Sequence, residues 1–228
     1  MNDLSGLKER LLQAALAHVP FDGWSQTTFD AAAQDFGISP DLAKAACPRG
    51  ALDLAVAFHK DGDARLLEIL AKTDLAAMRI RERVTFAVRS RIEVIADKEV
   101  VRKGTVLFAL PQNAAMGAGL IWGTADAIWT ALGDMSEDVN WYTKRAILSG
   151  VYSSSVLYWL GDESPDQQAT WAFLDRRIVD VMRIETVKAQ MRDNPVLNKL
   201  FAGPNWLLSQ IKAPQRTPRD DLPGTWNR

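Results

Sequence analysis

Cysteine is almost absent from this chain: Cys47 is the single copy in 228 residues. An intrachain disulfide and a Cys-rich zinc site are both excluded. Histidine is nearly as scarce, with only His18 and His59, which leaves little for a metal set or a general base. Long apolar runs are missing too. The longest, Ala114 to Gly123, is half of the roughly 20 residues a membrane-spanning helix needs. Neither sign of charge is in excess, with 27 Lys plus Arg against 28 Asp plus Glu and a formal net charge of -1. The chain as a whole is therefore no electrostatic nucleic-acid binder, and any basic surface must be local. A signal or transit pattern is lacking as well, since Met1-Asn2-Asp3-Leu4 leads directly into a helical pattern; the expectation is a protein of the cytoplasm or of a membrane face.

What is present is a globular balance, 47% hydrophobic and 24% charged, and eight tryptophans against three tyrosines. Leu4, Leu7, Leu11, Ala15 and Val19 recur at helical spacing and predict a helix over 4–18, ended by Pro20 and Gly23. Thr27-Thr28 is expected to cap a second helix to about Phe36, and Ser39-Pro40 to start a short third one. Longer helices follow over 51–71, from Ile80 to Ile95, over 99–109 and from Asn113 to Leu132. The segment 139–160 is apolar nearly all round, which places it centrally or at a subunit interface. Ser164-Pro165-Asp166 opens a helix to about Gln190. With no strand pair and no repeat, the fold class is all-α.

Motifs that carry chemistry are few. Gly117-Ala118-Gly119 with Gly123 has the wrong spacing for a dinucleotide loop and no strand before it, so helix packing is its expected role. His59 with Asp61 and Asp63 lacks the further ligands of a metal site and reads as a solvated helix face. Asp134, Glu137 and Asp138 sit where a helix needs caps, and Cys47 reads as a small buried residue. No catalytic set emerges, and neither a cofactor nor a metal is expected.

The stretch Gly23 to Gly50 is similar to the helix-turn-helix domain of TetR-type regulators. Its charge is wrong for DNA, because residues 1–60 hold five cations against seven carboxylates. The recognition stretch, Asp41-Leu42-Ala43-Lys44-Ala45-Ala46, offers base edges almost nothing. A DNA-binding regulator with a hydrophobic effector is the alternative reading. At the other end, Leu197, Leu200, Phe201, Leu208 and Ile211 share a helical face, edged by Trp206, and Lys188 to Arg219 contains six cations against Asp193. That pattern suits an interfacial membrane helix over 195–212, followed by a polar tail over 213–228.

The most specific stretch is Asn140-Trp141-Tyr142-Thr143-Lys144-Arg145, with Tyr152, Asp162-Glu163-Ser164-Pro165-Asp166 and Thr170-Trp171-Ala172-Phe173-Leu174-Asp175-Arg176-Arg177 following. With Leu110-Pro111-Gln112-Asn113, Ile128-Trp129 and Gly23-Trp24 it resembles the Coq-nine family, lipid-binding accessory proteins of ubiquinone biosynthesis, over about residues 7–190. The resemblance implies a TetR-like fold without DNA binding: a helix-turn-helix-like domain over 1–50 and a helical lipid-binding and dimerisation domain over 51–190. It implies a homodimer, a lipid or polyisoprenoid quinone precursor as ligand, the demethoxyubiquinone hydroxylase as partner and peripheral contact with the inner membrane. Carried onto this sequence, the partner patch falls on Trp141 and Tyr142 with Ile128, Leu110, Pro111 and Asn113. Trp129, Ile147, Val151, Leu157, Trp171 and Leu174 are the expected lipid-cavity residues, on helices that face one another. Departures are the missing transit region, Gln112 where many relatives have histidine, and a divergent C-terminal segment with Gly203-Pro204. The first of these leads to the expectation of a bacterial member, in the cytoplasm and peripherally on the cytoplasmic face of the inner membrane.

Overall fold

A computed structural model describes residues 4–95, 97–193 and 212–214. All regular structure among them is helical: α1 (Leu4–Ala15), α2 (Val19–Asp22), α3 (Gln26–Asp35), α4 (Pro40–Ala46), α5 (Ala51–Lys72), α6 (Ile80–Glu93), α7 (Lys98–Ala109), α8 (Pro111–Ala131), α9 (Val139–Leu160) and α10 (Gln168–Asp193). The all-α expectation is met.

Local boundaries differ where a cap or a turn competes. The first helix ends at Ala15, not residue 18, and Val19–Asp22 makes a separate turn of helix with proline in its first turn. At α3 the cap is Ser25, whose Oγ accepts from the Thr28 amide at 3.2 Å. Thr28 itself is buried and donates its hydroxyl to the Gly23 carbonyl at 2.6 Å. Ser39 caps α4, with Pro40 in the first turn. Asp138 caps α9 by accepting from the Asn140 amide at 3.0 Å.

Two apolar cores share α5. The first joins α1, α3 and α4 through Leu11, Leu12, Phe29, Ala32, Ala43 and Cys47, and takes in Leu54 and Ala55 from α5 and Val100 from α7. The second, built on α6, α8, α9 and α10, receives Leu66 and Leu70 from the far end of α5. A boundary at residue 50 therefore falls where α5 begins, although the first turns of that helix pack with the preceding domain. Helix α9 packs on α8, α10 and α7, in accordance with its nearly continuous apolar surface. Helices α7 and α8 meet closely enough that a Cβ on Gly117 would lie 2.7 Å from Phe108 Cβ. Glycine is needed at that crossing. Gly119 and Gly123 face open space, so helix packing within the chain accounts for only one of the three.

Candidate functional site: two apolar cavities and an aromatic patch

The first cavity, of about 530 Å³, lies between α6, α8, α9 and α10. Val84, Trp129, Ile147, Leu148, Val151 and Ile178 form its wall, and Asp134, Met135, Ser136 and Lys144 its polar edge. The Trp129 indole donates to the Lys144 carbonyl at 3.1 Å. The Lys144 ammonium reaches back to Asp134 at 2.7 Å and to the Ser136 hydroxyl at 2.8 Å. Burial of the Asp134 carboxyl would raise its pKa; hydrogen bonds from Lys144, Arg145 and Ser136 outweigh that and hold it down at about 2. Asp134 was expected as a helix cap, and instead anchors the loop at this cavity's edge.

The second cavity, of about 370 Å³, lies between α5, α7, α8 and α9. Trp24, Phe58, Val101, Phe108, Ile121, Val156 and Leu157 give it an apolar lining. Thr105 and Ser153 also line it, but their hydroxyls donate to the carbonyls of Val101 and Ser149 in their own helices. What polarity remains comes chiefly from His59, Arg91 and Tyr152. The Arg91 guanidinium is almost wholly buried. It donates through Nε to Asp63 at 2.7 Å and through Nη2 to the His59 carbonyl at 2.9 Å, and lies 5.7 Å from the Tyr152 ring centre. Thr124 donates to Asp63 at 2.8 Å and is hydrogen-bonded to His59 Nε2 at 2.8 Å. Burial first, and then the Arg91 charge, lower the His59 pKa and keep the ring neutral. Burial pushes the Tyr152 phenol up. The solvated helix face expected around His59 is thus overturned, because Arg91 from α6 covers it.

Of the expected cavity residues, Trp129, Ile147 and Val151 line the first cavity and Leu157 the second. Leu174 is fully buried in the second core and lines neither. Trp171 lines neither as well: its indole donates to the Asp166 carbonyl at 3.0 Å and Arg89 stacks on its ring at 4.7 Å. Trp24, Phe58, His59, Arg91, Phe108 and Tyr152 were missed. The His59–Asp63 spacing of four was legible on one helix face, but Arg91 is 28 residues further on and no local pattern points to it.

Trp141 and Tyr142 are half-exposed neighbours with ring centres 4.8 Å apart in an edge-to-face arrangement. The Trp122 ring, from α8, lies 6.0 Å from Trp141 and 6.5 Å from Tyr142 and completes a three-ring patch. Ile128, expected in this patch, is corrected: its exposure is 0% and it packs in the core, because it shares the inward face of α8 with Thr124 and Ala125 while Trp122 points the other way. Asn113 is buried and ties the α7–α8 corner by donating to the Leu107 carbonyl at 3.1 Å. Leu110 and Pro111 are exposed at that corner, about 16 Å along the α8 axis from Trp122. Beside the aromatic patch, the Tyr142 hydroxyl donates to the Lys212 carbonyl at 3.4 Å, and the Ala213 amide to the Glu137 carbonyl at 2.9 Å. The expected membrane residues Leu197, Leu200, Phe201, Trp206, Leu208 and Ile211 lie outside the described residues. No helix among the described residues is long and apolar enough to cross a membrane.

Residues 114–185, which hold much of the first cavity and the whole aromatic patch, match the COQ9 family. The chain is 32% identical over 194 residues to "Ubiquinone biosynthesis protein COQ9, mitochondrial" of Rattus norvegicus, covering 82% of this chain and 62% of the relative. The Homo sapiens protein of that name is 30% identical over 194 residues, covering 82% and 61%. The chain thus spans about three fifths of the length of these relatives. Their names state a biosynthetic role and no catalytic activity. In fold, the chain is similar to a TetR transcriptional regulator from Nitrosomonas europaea, with a TM-score of 0.63 at 16% identity, over 76% of this chain and 97% of that one. The expected TetR-like architecture is the one observed. The expected bacterial cytoplasmic location is corrected, because the relatives from rat, cow, human and fly are all named mitochondrial. That expectation rested on the first residues of the chain, which say nothing of where its relatives reside.

Proposed function

The chain belongs to the COQ9 family, carried most specifically by residues 114–185, and on that premise we propose that it is a non-enzymatic lipid-binding protein of ubiquinone biosynthesis. In this role it holds a polyisoprenoid quinone precursor and presents it to the demethoxyubiquinone hydroxylase while lying peripherally on the inner membrane. The observation that carries the reading is the pair of apolar cavities, about 530 and 370 Å³, each in the size range of small-ligand sites. An isoprenoid tail leaves a bilayer at a cost of about 0.8 kcal/mol per CH2, and an apolar chamber in a protein at the membrane surface offsets that cost. Trp122, Trp141 and Tyr142 supply the large half-exposed rings typical of partner contacts. A homodimer suits the exposed apolar side chains Leu157 and Tyr158 of α9.

The DNA-binding alternative draws on the fold alone. Helix α4 brings Asp41 and Lys44, one charge of each sign, and so gives a phosphate backbone no net attraction.

Native mass spectrometry of the purified protein tests the proposal, with a co-purified lipid or quinone as the expected result. Repeated spectra of apo protein alone would overturn it. Capture of the hydroxylase should be lost in Trp141→Lys with the helical circular dichroism unchanged, and equal capture by this variant would remove the patch as the contact.

A further inference from the structure

The two cavities differ in what they offer a ligand besides apolar wall. The second has His59, Arg91 and Tyr152 on its lining, while Asp63, the carboxylate that neutralises Arg91, is not part of that lining. Arg91 lines the cavity, whereas its counter-charge, 2.7 Å from Nε, does not. Of its five N–H groups, Nε is committed to Asp63 and one on Nη2 to the His59 carbonyl. His59 is neutral by burial and by the Arg91 charge, and Tyr152 keeps its proton by burial. The set therefore brings hydrogen-bonding groups and no net charge to an apolar chamber.

The arrangement is built, and not an accident of one rotamer. A Cβ on Gly62 would lie 2.6 to 2.8 Å from three atoms of the Arg91 guanidinium, so α5 carries glycine where Arg91 lies against it. Thr124, fully buried on α8, joins Asp63 to His59. Three helices thus fix the orientation of one side chain.

We propose that this cavity binds an amphiphile whose polar end is an uncharged oxygen, the hydroxyl or carbonyl of an alcohol, phenol or quinone, and that Arg91, Tyr152 and His59 select it over carboxylate and phosphate heads. The proposal rests on the lipid-binding reading above and adds the chemistry of the head. A neutral oxygen can accept from the Arg91 guanidinium or the Tyr152 phenol and gives up only the hydration of a dipole. An anion gives up ionic hydration and finds Arg91 already neutralised by Asp63, so burial is not compensated. A plain alkane leaves the polar groups of the lining without the partners that water had given them.

Calorimetric titration with 1-decanol, decanoate and decane separates these cases, with the Trp24 indole N–H resonance, assigned through Trp24→Phe, reporting occupancy of this cavity. Decanol is expected to bind at least tenfold more tightly than either of the other two. In Asp63→Asn the Arg91 charge is released, and decanoate is expected to gain at least tenfold while decanol changes less. Tyr152→Phe, which removes a single oxygen, is expected to weaken decanol and leave decane unchanged. Decanoate binding as tightly as decanol to the unaltered protein would overturn the proposal, as would an unchanged preference in a folded Asp63→Asn. Equal binding of decanol and decane would also overturn it while leaving the lipid-binding reading intact. If none of the three moves the Trp24 resonance, the lipid-binding reading itself fails for this cavity. Should Asp63→Asn not fold, the three-probe comparison on the unaltered protein decides.

Discussion

The Arg145 guanidinium lies 4.0 Å from the centre of the Trp141 ring. One residue is fully buried and the other is half-exposed on the aromatic patch. Arg145 donates to Asp126 at 2.6 Å, to Asp134 at 3.0 Å and to the Trp141 carbonyl at 3.1 Å, while its Nη2 has no hydrogen-bond partner among the described residues. The ring covers the cation, and the cation holds the ring in place.

Arg145→Met should consequently cost about 3 kcal/mol, the scale of breaking a buried ion pair from one side. The Trp141 ring should also lose the support of a cation–π contact worth about 1 to 2 kcal/mol. Urea denaturation gives the first quantity, and a red shift of emission in a variant retaining Trp141 as its reporter shows the ring losing its cover. A midpoint equal to that of the unaltered protein would show that the pair carries no stability.

Asp134 sets an acid limit. Its native pKa of about 2 lies below the ordinary carboxyl value of 3.8, so the native state binds the proton less readily than the unfolded chain. The stabilisation, on the order of 2 kcal/mol, is complete at neutral pH, begins to fade near pH 4 and is gone once pH falls through about 2. Asp134→Asn should be less stable at pH 7 and should lose less stability than the unaltered protein between pH 4 and pH 2. Parallel stability curves for the two proteins would contradict this.

Glycines on one helix should respond in opposite directions. Gly117→Ala drives a methyl into Phe108 Cβ and should destabilise by about 1 to 3 kcal/mol. Gly119→Ala enters open space and should stabilise the helix by up to about 1 kcal/mol. Thermal unfolding of the two variants, read by circular dichroism, checks the order.

Cys47 is fully buried in the first core, and burial raises its pKa. Labelling by a thiol-reactive disulfide at pH 8 should be at least tenfold slower in native than in urea-unfolded protein. Equal rates would mean that α4 opens readily.

Legibility in the sequence followed the range of the interactions. The short-range signals at Ser39-Pro40 and Asp138 identified helix starts, because a cap is made with an amide two or three residues away. The Trp141-Tyr142 motif drew attention to a surface that the structure does present. Ile128 was misplaced because an apolar residue beside a tryptophan shows no preference for either helix face until the neighbouring helix is known. Trp122, on the same helix, belongs to the patch, and nothing in the local sequence separates these two faces.

What the sequence by itself determined is the all-α class and the family, since helical period and a distinctive motif are properties of the chain in order. Only the tertiary structure decided where the apolar helices leave space and which polar groups border it. His59, Asp63, Arg91, Thr124 and Tyr152 come from four helices, and their hydrogen bonds join residues up to 65 positions apart. Burial, which settles the charge of such a group, exists only after those helices have packed.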